Sequence, residues 1–213
     1  MNAIIEKLIP LADAHQAADE YIAGQAKWDG KGACAIGCTC HDAITLGILP
    51  EGSYYDHAAL AEATGTDPRL WHLVDGVFEG LPEEEQKSAW TPRFLRAASQ
   101  CDDTHRAVWR LLAWLLGPDS PSAQGNAHPA VADAVAGVRL LCERSAAGEK
   151  VPSTEWSAAR SAAQSAWSAR SASSAARSAA WSAAESARSA AWSKIADQLI
   201  LCLQGTKPES ETK

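Results

Sequence analysis

The stretch Trp156-Ser-Ala-Ala-Arg160-Ser-Ala-Ala-Gln164-Ser-Ala-Trp167 returns 25 residues later as Trp181-Ser-Ala-Ala-Glu185-Ser-Ala-Arg188-Ser-Ala-Ala-Trp192. Alanine is the strongest helix former, and a helical serine costs only about half a kcal/mol, so this composition specifies helix. Trp156, Trp167, Trp181 and Trp192 recur at spacings of 11, 14 and 11. At about 100° per residue they fall within roughly 20° of one line. Alanine clusters opposite that line and serine takes a flank. Arg170, Arg177 and Arg188 lie about 40–60° to the other side. Beyond Ser193 the pattern becomes Ile195, Leu199, Ile200 and Leu203, an ordinary core-seeking end.

Length limits what this segment can be. One helix over residues 153–204 would span about 78 Å, whereas a body of 150 residues has a diameter of roughly 40 Å. Either the helix breaks near Arg170–Ser174 into an antiparallel hairpin, or it pairs with a second copy in a homodimer. The duplication into equal halves favours the hairpin.

Working outward, the 213 residues are 46% hydrophobic and 21% charged, a globular profile. No window alternates apolar and polar residues at period two, so the expected class is all-α: a multi-helix bundle with a C-terminal Ala/Ser/Trp-rich long helix or helical hairpin. The organisation expected is an acidic helical body over 1–150, the Ala/Ser/Trp/Arg-rich segment over 151–205 packed on it, and a disordered tail over 206–213. Residues 3–24 read as a first amphipathic helix. A Gly-rich turn from Trp28 to Gly32 leads into a second, over about 33–46. Asp56, Asp67 followed by Pro68, and Asp102 or Asp103 each carry the chemistry of a helix start. Pro82 with Glu83, Glu84 and Glu85 marks another start, and His128-Pro129 opens a helix to about Ser145.

Residues 1–152 hold 12 Lys+Arg against 21 Asp+Glu, while 153–193 hold four arginines against two glutamates. An acidic body with a mildly basic helix argues against general nucleic-acid binding, which needs a concentrated basic footprint. No stretch reaches the ~18 apolar residues of a membrane span, and the start has no signal-peptide pattern. The six cysteines are then expected to be free thiols in a reducing cytoplasm.

Cys34-Ala-Ile-Gly-Cys38-Thr-Cys40-His41-Asp42 is the one segment with ligand-like residues. On a helix Cys34, Cys38 and His41 share a face, the arrangement for a zinc site, with His57 or Asp42 as fourth ligand. Against it, residues 34 and 41 would be about 10.5 Å apart along the axis. Buried thiols, or a reactive cysteine paired with His41, are the other readings. No serine-nucleophile motif, Walker loop, dinucleotide fingerprint or His-Glu-x-x-His is present, which points away from catalysis. Trp156, Arg160, Trp167, Arg170, Arg177, Trp181, Arg188 and Trp192 form the candidate binding surface. Trp and Arg dominate interface hot spots, and together they also suit a small nucleotide. The alternative is that the indoles pack against the acidic body.

Taken together, Gly30-Lys31-Gly32-Ala33-Cys34-Ala35-Ile36-Gly37-Cys38 with His41, then Val77-Phe78-Glu79-Gly80-Leu81-Pro82, then the Ala/Trp/Arg repeat closing on Ile195-Ala196-Asp197-Gln198-Leu199, carry a resemblance. They resemble an uncharacterised group of bacterial and phage proteins that join a Cys/His-containing helical body to an Ala- and Trp-rich tail. The tail alone is similar to the Imm-5-like immunity proteins predicted near polymorphic toxin genes. The resemblance implies a cytoplasmic accessory protein of phage or bacterial conflict systems. Its role would be binding rather than catalysis, with a protein partner expected and no catalytic residues to carry over; no cofactor is expected apart from the possible zinc at Cys34, Cys38 and His41.

Overall fold

The computed structural model describes residues 1–82, 84–121, 129–171 and 191–205, with side chains outside 84–86, 129–130 and 166–171. Its regular structure is helical: α1 (Ala3–Ala17), α2 (Ala35–Thr45), α3 (His57–Thr64), α4 (Pro68–Gly80), α5 (Glu84–Gln100), α6 (Thr104–Leu115), α7 (Pro129–Ala146) and α8 (Ser153–Ser171). A further helix, α9, spans 191–203. Among the described residues there is no strand beyond an isolated bridge between Tyr21 and Ala33.

Local chemistry sets most helix starts. Asn2 caps α1 by accepting from the Ile4 and Ile5 N–H groups, Asp56 caps α3, Asp67 caps α4 with Pro68 in its first turn, and Asp103 caps α6. The first helix stops short of the expected residue 24. It ends at Ala17 because Asp19 takes a left-handed φ of 57° and the chain turns to pair Tyr21 with Ala33. That pairing is tertiary, so no local pattern announces it. Gly32 and Gly37 pack directly on the Glu20 and Ala26 carbonyls, where a Cβ would overlap backbone. This close approach fixes the loop over 18–34 against the start of α2.

The core lies between α1, α2, α4 and α5. Trp71 is fully buried edge-on to Phe94, and its indole N–H donates to Thr66 Oγ1 at 2.9 Å. Trp90 stacks on the same Phe94 and donates to the Ala196 carbonyl of α9. Ala196, Leu199, Ile200, Cys202 and Leu203 are buried, so α9 completes the body's core. The remaining helices build outward, α7 on α6 and α8 on α7.

The two described ends of the alanine-rich segment both rest on the body: Trp156 stacks on Trp109 of α6, and Trp192 lies against Gly80 of α4. The Arg170–Ser174 break expected for a hairpin falls almost wholly outside the described residues. At the α7–α8 junction the charges pair opposite to the overall trend: body Arg144 binds Glu149 and the segment's own Glu155. Among the described residues no helix is long and apolar enough to cross a membrane.

Candidate functional site

Asp75 and Glu79 sit four residues apart on α4 and therefore share one face of it. The Gly-packed loop delivers Cys34, the residue just before α2, to that face. The ligand atoms of Cys34, Asp75 and Glu79 all lie within 4.8 Å of one another, so these three could hold a metal. The Cys34 Sγ is 3.9 Å from Asp75 Oδ1. Tyr55 O–H donates to Asp75 Oδ2 at 2.6 Å, and the Gly24 N–H donates to both Glu79 oxygens at 3.0 Å. His57 stacks on His72 with centroids 4.2 Å apart, and its Nε2 stands 3.6 Å from Asp75 Oδ2. That nitrogen is enclosed and has no hydrogen-bond partner. Burial pushes the Cys34 thiol up to about 11, the Gly37 N–H opposing and the Asp75 charge adding to the rise. Burial and the Asp75 hydrogen bond raise the Tyr55 phenol well above its usual range.

The structure does not assemble the zinc triad read from the sequence. Among the described residues Cys34, Cys38 and His41 do not form a group with ligand atoms within 4.8 Å of one another. Cys34 precedes the helix rather than lying on its face. Cys38 points its thiol at the Ala33 carbonyl 3.3 Å away, and His41 stacks on Trp28 at 4.6 Å. Burial raises Cys38 far above its ordinary value and Cys40 to about 11, so neither is poised as a thiolate. Asp42, the suggested fourth ligand, is engaged elsewhere.

Its partner is His15, a residue that sequence reasoning missed. His15 Nε2 lies 2.9 Å from Asp42 Oδ1 and Nδ1 lies 2.6 Å from Glu20 Oε2, with Trp28 packed on the ring. Burial works to lower the pKa of His15, but the hydrogen bonds to Asp42 and Glu20 outweigh it and the net shift is upward. The available signal was position: Ile5, Leu8, Ala12 and His15 form the buried stripe of α1, and a histidine there needs polar partners.

Of the proposed binding surface, two indoles are turned inward. Trp156 lies half-buried on Trp109 at 5.0 Å. Trp109 in turn donates to His105 Nε2 and carries the Arg69 guanidinium 4.0 Å over its ring. His105 Nδ1 and Arg69 both bind the buried Asp67 carboxylate, whose pKa burial raises but those partners lower on balance. Trp192 lies flat on Gly80 at the end of α4, where any Cβ would meet its ring. These two are body anchors because each has an aromatic or glycine surface waiting for it. Arg160 is exposed. The side chains of Trp167 and Arg170, and all of Arg177, Trp181 and Arg188, lie outside the described residues.

A cleft of about 540 Å³ opens among the starts of α1, α4 and α6, lined in part by Asn2, Asp67, Asp102, Asp103 and His105. Its carboxylates disfavour a nucleotide's phosphates. Comparison with models of known families, with curated proteins and with solved structures gives no match.

Proposed function

We propose that the chain is a non-enzymatic binding protein of a phage or bacterial conflict system, an immunity or counter-defence factor that engages a protein partner. The observation that supports this reading is the way α8 is held. Trp156 fixes the helix on Trp109, while Ser157, Ala158, Arg160, Ser161 and Ala162 face solvent. A preformed helix presenting small side chains and one arginine loses little conformational entropy on docking, and its low profile lets a partner helix approach closely. The inward indoles shift the expected contact from the Trp line to the Ser/Ala/Arg flank.

The test is binding by purified full-length chain to the product of an adjacent gene, measured calorimetrically. Ser157→Glu/Arg160→Glu should weaken binding at least tenfold and leave the circular dichroism unchanged. Equal binding by that variant removes α8 as the contact surface.

A further inference from the structure

We infer that Cys34, Asp75, Glu79 and His57 bind one divalent transition ion of the zinc class. The inference is independent of the partner-binding reading.

The donor set comes first. One thiol, one imidazole and two carboxylates select borderline ions such as zinc or cobalt over magnesium and calcium, which prefer oxygen alone. Placement agrees with this. Cys34, Asp75 and Glu79 already offer ligand atoms within 4.8 Å of one another. Tetrahedral coordination needs neighbouring donors about 3.3–3.5 Å apart, so these three must draw together, and His57, which lies outside the group of three but 3.6 Å from Asp75 Oδ2, must close in with them. His57 supplies the independent observation. Its side chain is only 11% exposed, and its enclosed Nε2 has no hydrogen-bond partner while standing 3.6 Å from Asp75 Oδ2. An ion beside Asp75 satisfies that nitrogen.

Charge and support complete the case. Among the described residues neither Asp75 nor Glu79 has an Arg or Lys ion-pair partner, and Asp75 has only His57 beside it, which balances its charge only when protonated. Tyr55 holds Asp75 and the Gly24 N–H holds Glu79, the outer contacts that orient metal ligands. His72, stacked on His57, fixes the plane of that ring. Glu79 is exposed, so an ion can reach the site from solvent. Binding would convert the Cys34 thiol to a thiolate and release its proton to water.

Cobalt(II) titration of chelator-stripped, full-length chain tests this. One equivalent should produce a thiolate-to-cobalt charge-transfer band in the near ultraviolet. Cys34→Ser should abolish the band, and Cys38→Ser should retain it. Glu79→Gln, at an exposed position, should weaken binding by more than about tenfold. Absence of a saturable band in the natural chain overturns the inference, as does an undiminished band in Cys34→Ser. If Cys34→Ser does not fold, Glu79→Gln decides: unchanged cobalt affinity overturns the site.

Discussion

Trp71 on α4 and Trp156 on α8 each rest against another aromatic ring, yet they sit in different kinds of structure. Trp71 is fully enclosed, touches Phe94 edge-on and has its N–H satisfied by Thr66. Trp156 is half-exposed, and its support is a relay through Trp109 and His105 to the buried Asp67. The body holds each helix by many apolar side chains. A helix of alanine and serine has little bulk to bury, so its attachment depends on a few indoles. Loss of one contact should therefore be global in the body and local in the segment.

Trp71→Ala has the largest expected effect, about 3–5 kcal/mol of unfolding free energy, read by urea denaturation as one cooperative transition. A loss under 1 kcal/mol would place this indole outside the cooperative core. His15→Ala follows at about 3 kcal/mol, because it leaves the Asp42 carboxylate buried without its partner. The same histidine gives the body a pH signature. Its folded pKa is raised, so its stabilisation is complete below about 6.5 and is lost as pH climbs through the raised value. The natural chain should lose stability over that interval and His15→Ala should not. Equal pH slopes for the two would remove His15 as the cause.

Gly80→Ala tests the far end of the segment. Its methyl group meets the Trp192 ring, and the expected cost is about 1–3 kcal/mol with a red shift in tryptophan emission. A neutral substitution would mean that Trp192 does not rest on α4. Trp156→Ala has the smallest effect, about 1–1.5 kcal/mol from loss of the stack. It should lower the protection of α8 while the main urea midpoint moves little. A shift as large as that of Trp71→Ala would erase the distinction between the two regions.

The legible parts of this chain were those governed by neighbours in sequence. The caps at Asp56 and Asp67-Pro68, the start at Asp102 or Asp103 that falls at Asp103, and the core-seeking end from Ile195 each follow from a few adjacent residues. The end of α1 was not legible, because the Tyr21–Ala33 bridge that turns the chain is set by tertiary packing. The cluster of Cys34, Asp75 and Glu79 that could hold a metal was half legible. Cys34 stood out and His57 was named, but Asp75 and Glu79 look like ordinary exposed helix positions until the glycine-packed loop brings Cys34 to them. Of the four tryptophans read as a line, Trp156 and Trp192 turn to Trp109 and Gly80, surfaces that the segment's own sequence does not announce, while the Trp167 side chain and Trp181 lie outside the described residues.

Native-state hydrogen exchange across a denaturant series tests most directly whether body and segment are held differently. The amides of α8 over 153–165 should exchange through an opening of clearly lower free energy than those of α2, α4 and α5, and Trp156→Ala should lower only the former. A single shared opening energy for α8 and the core helices, falling together in Trp156→Ala, would contradict that division.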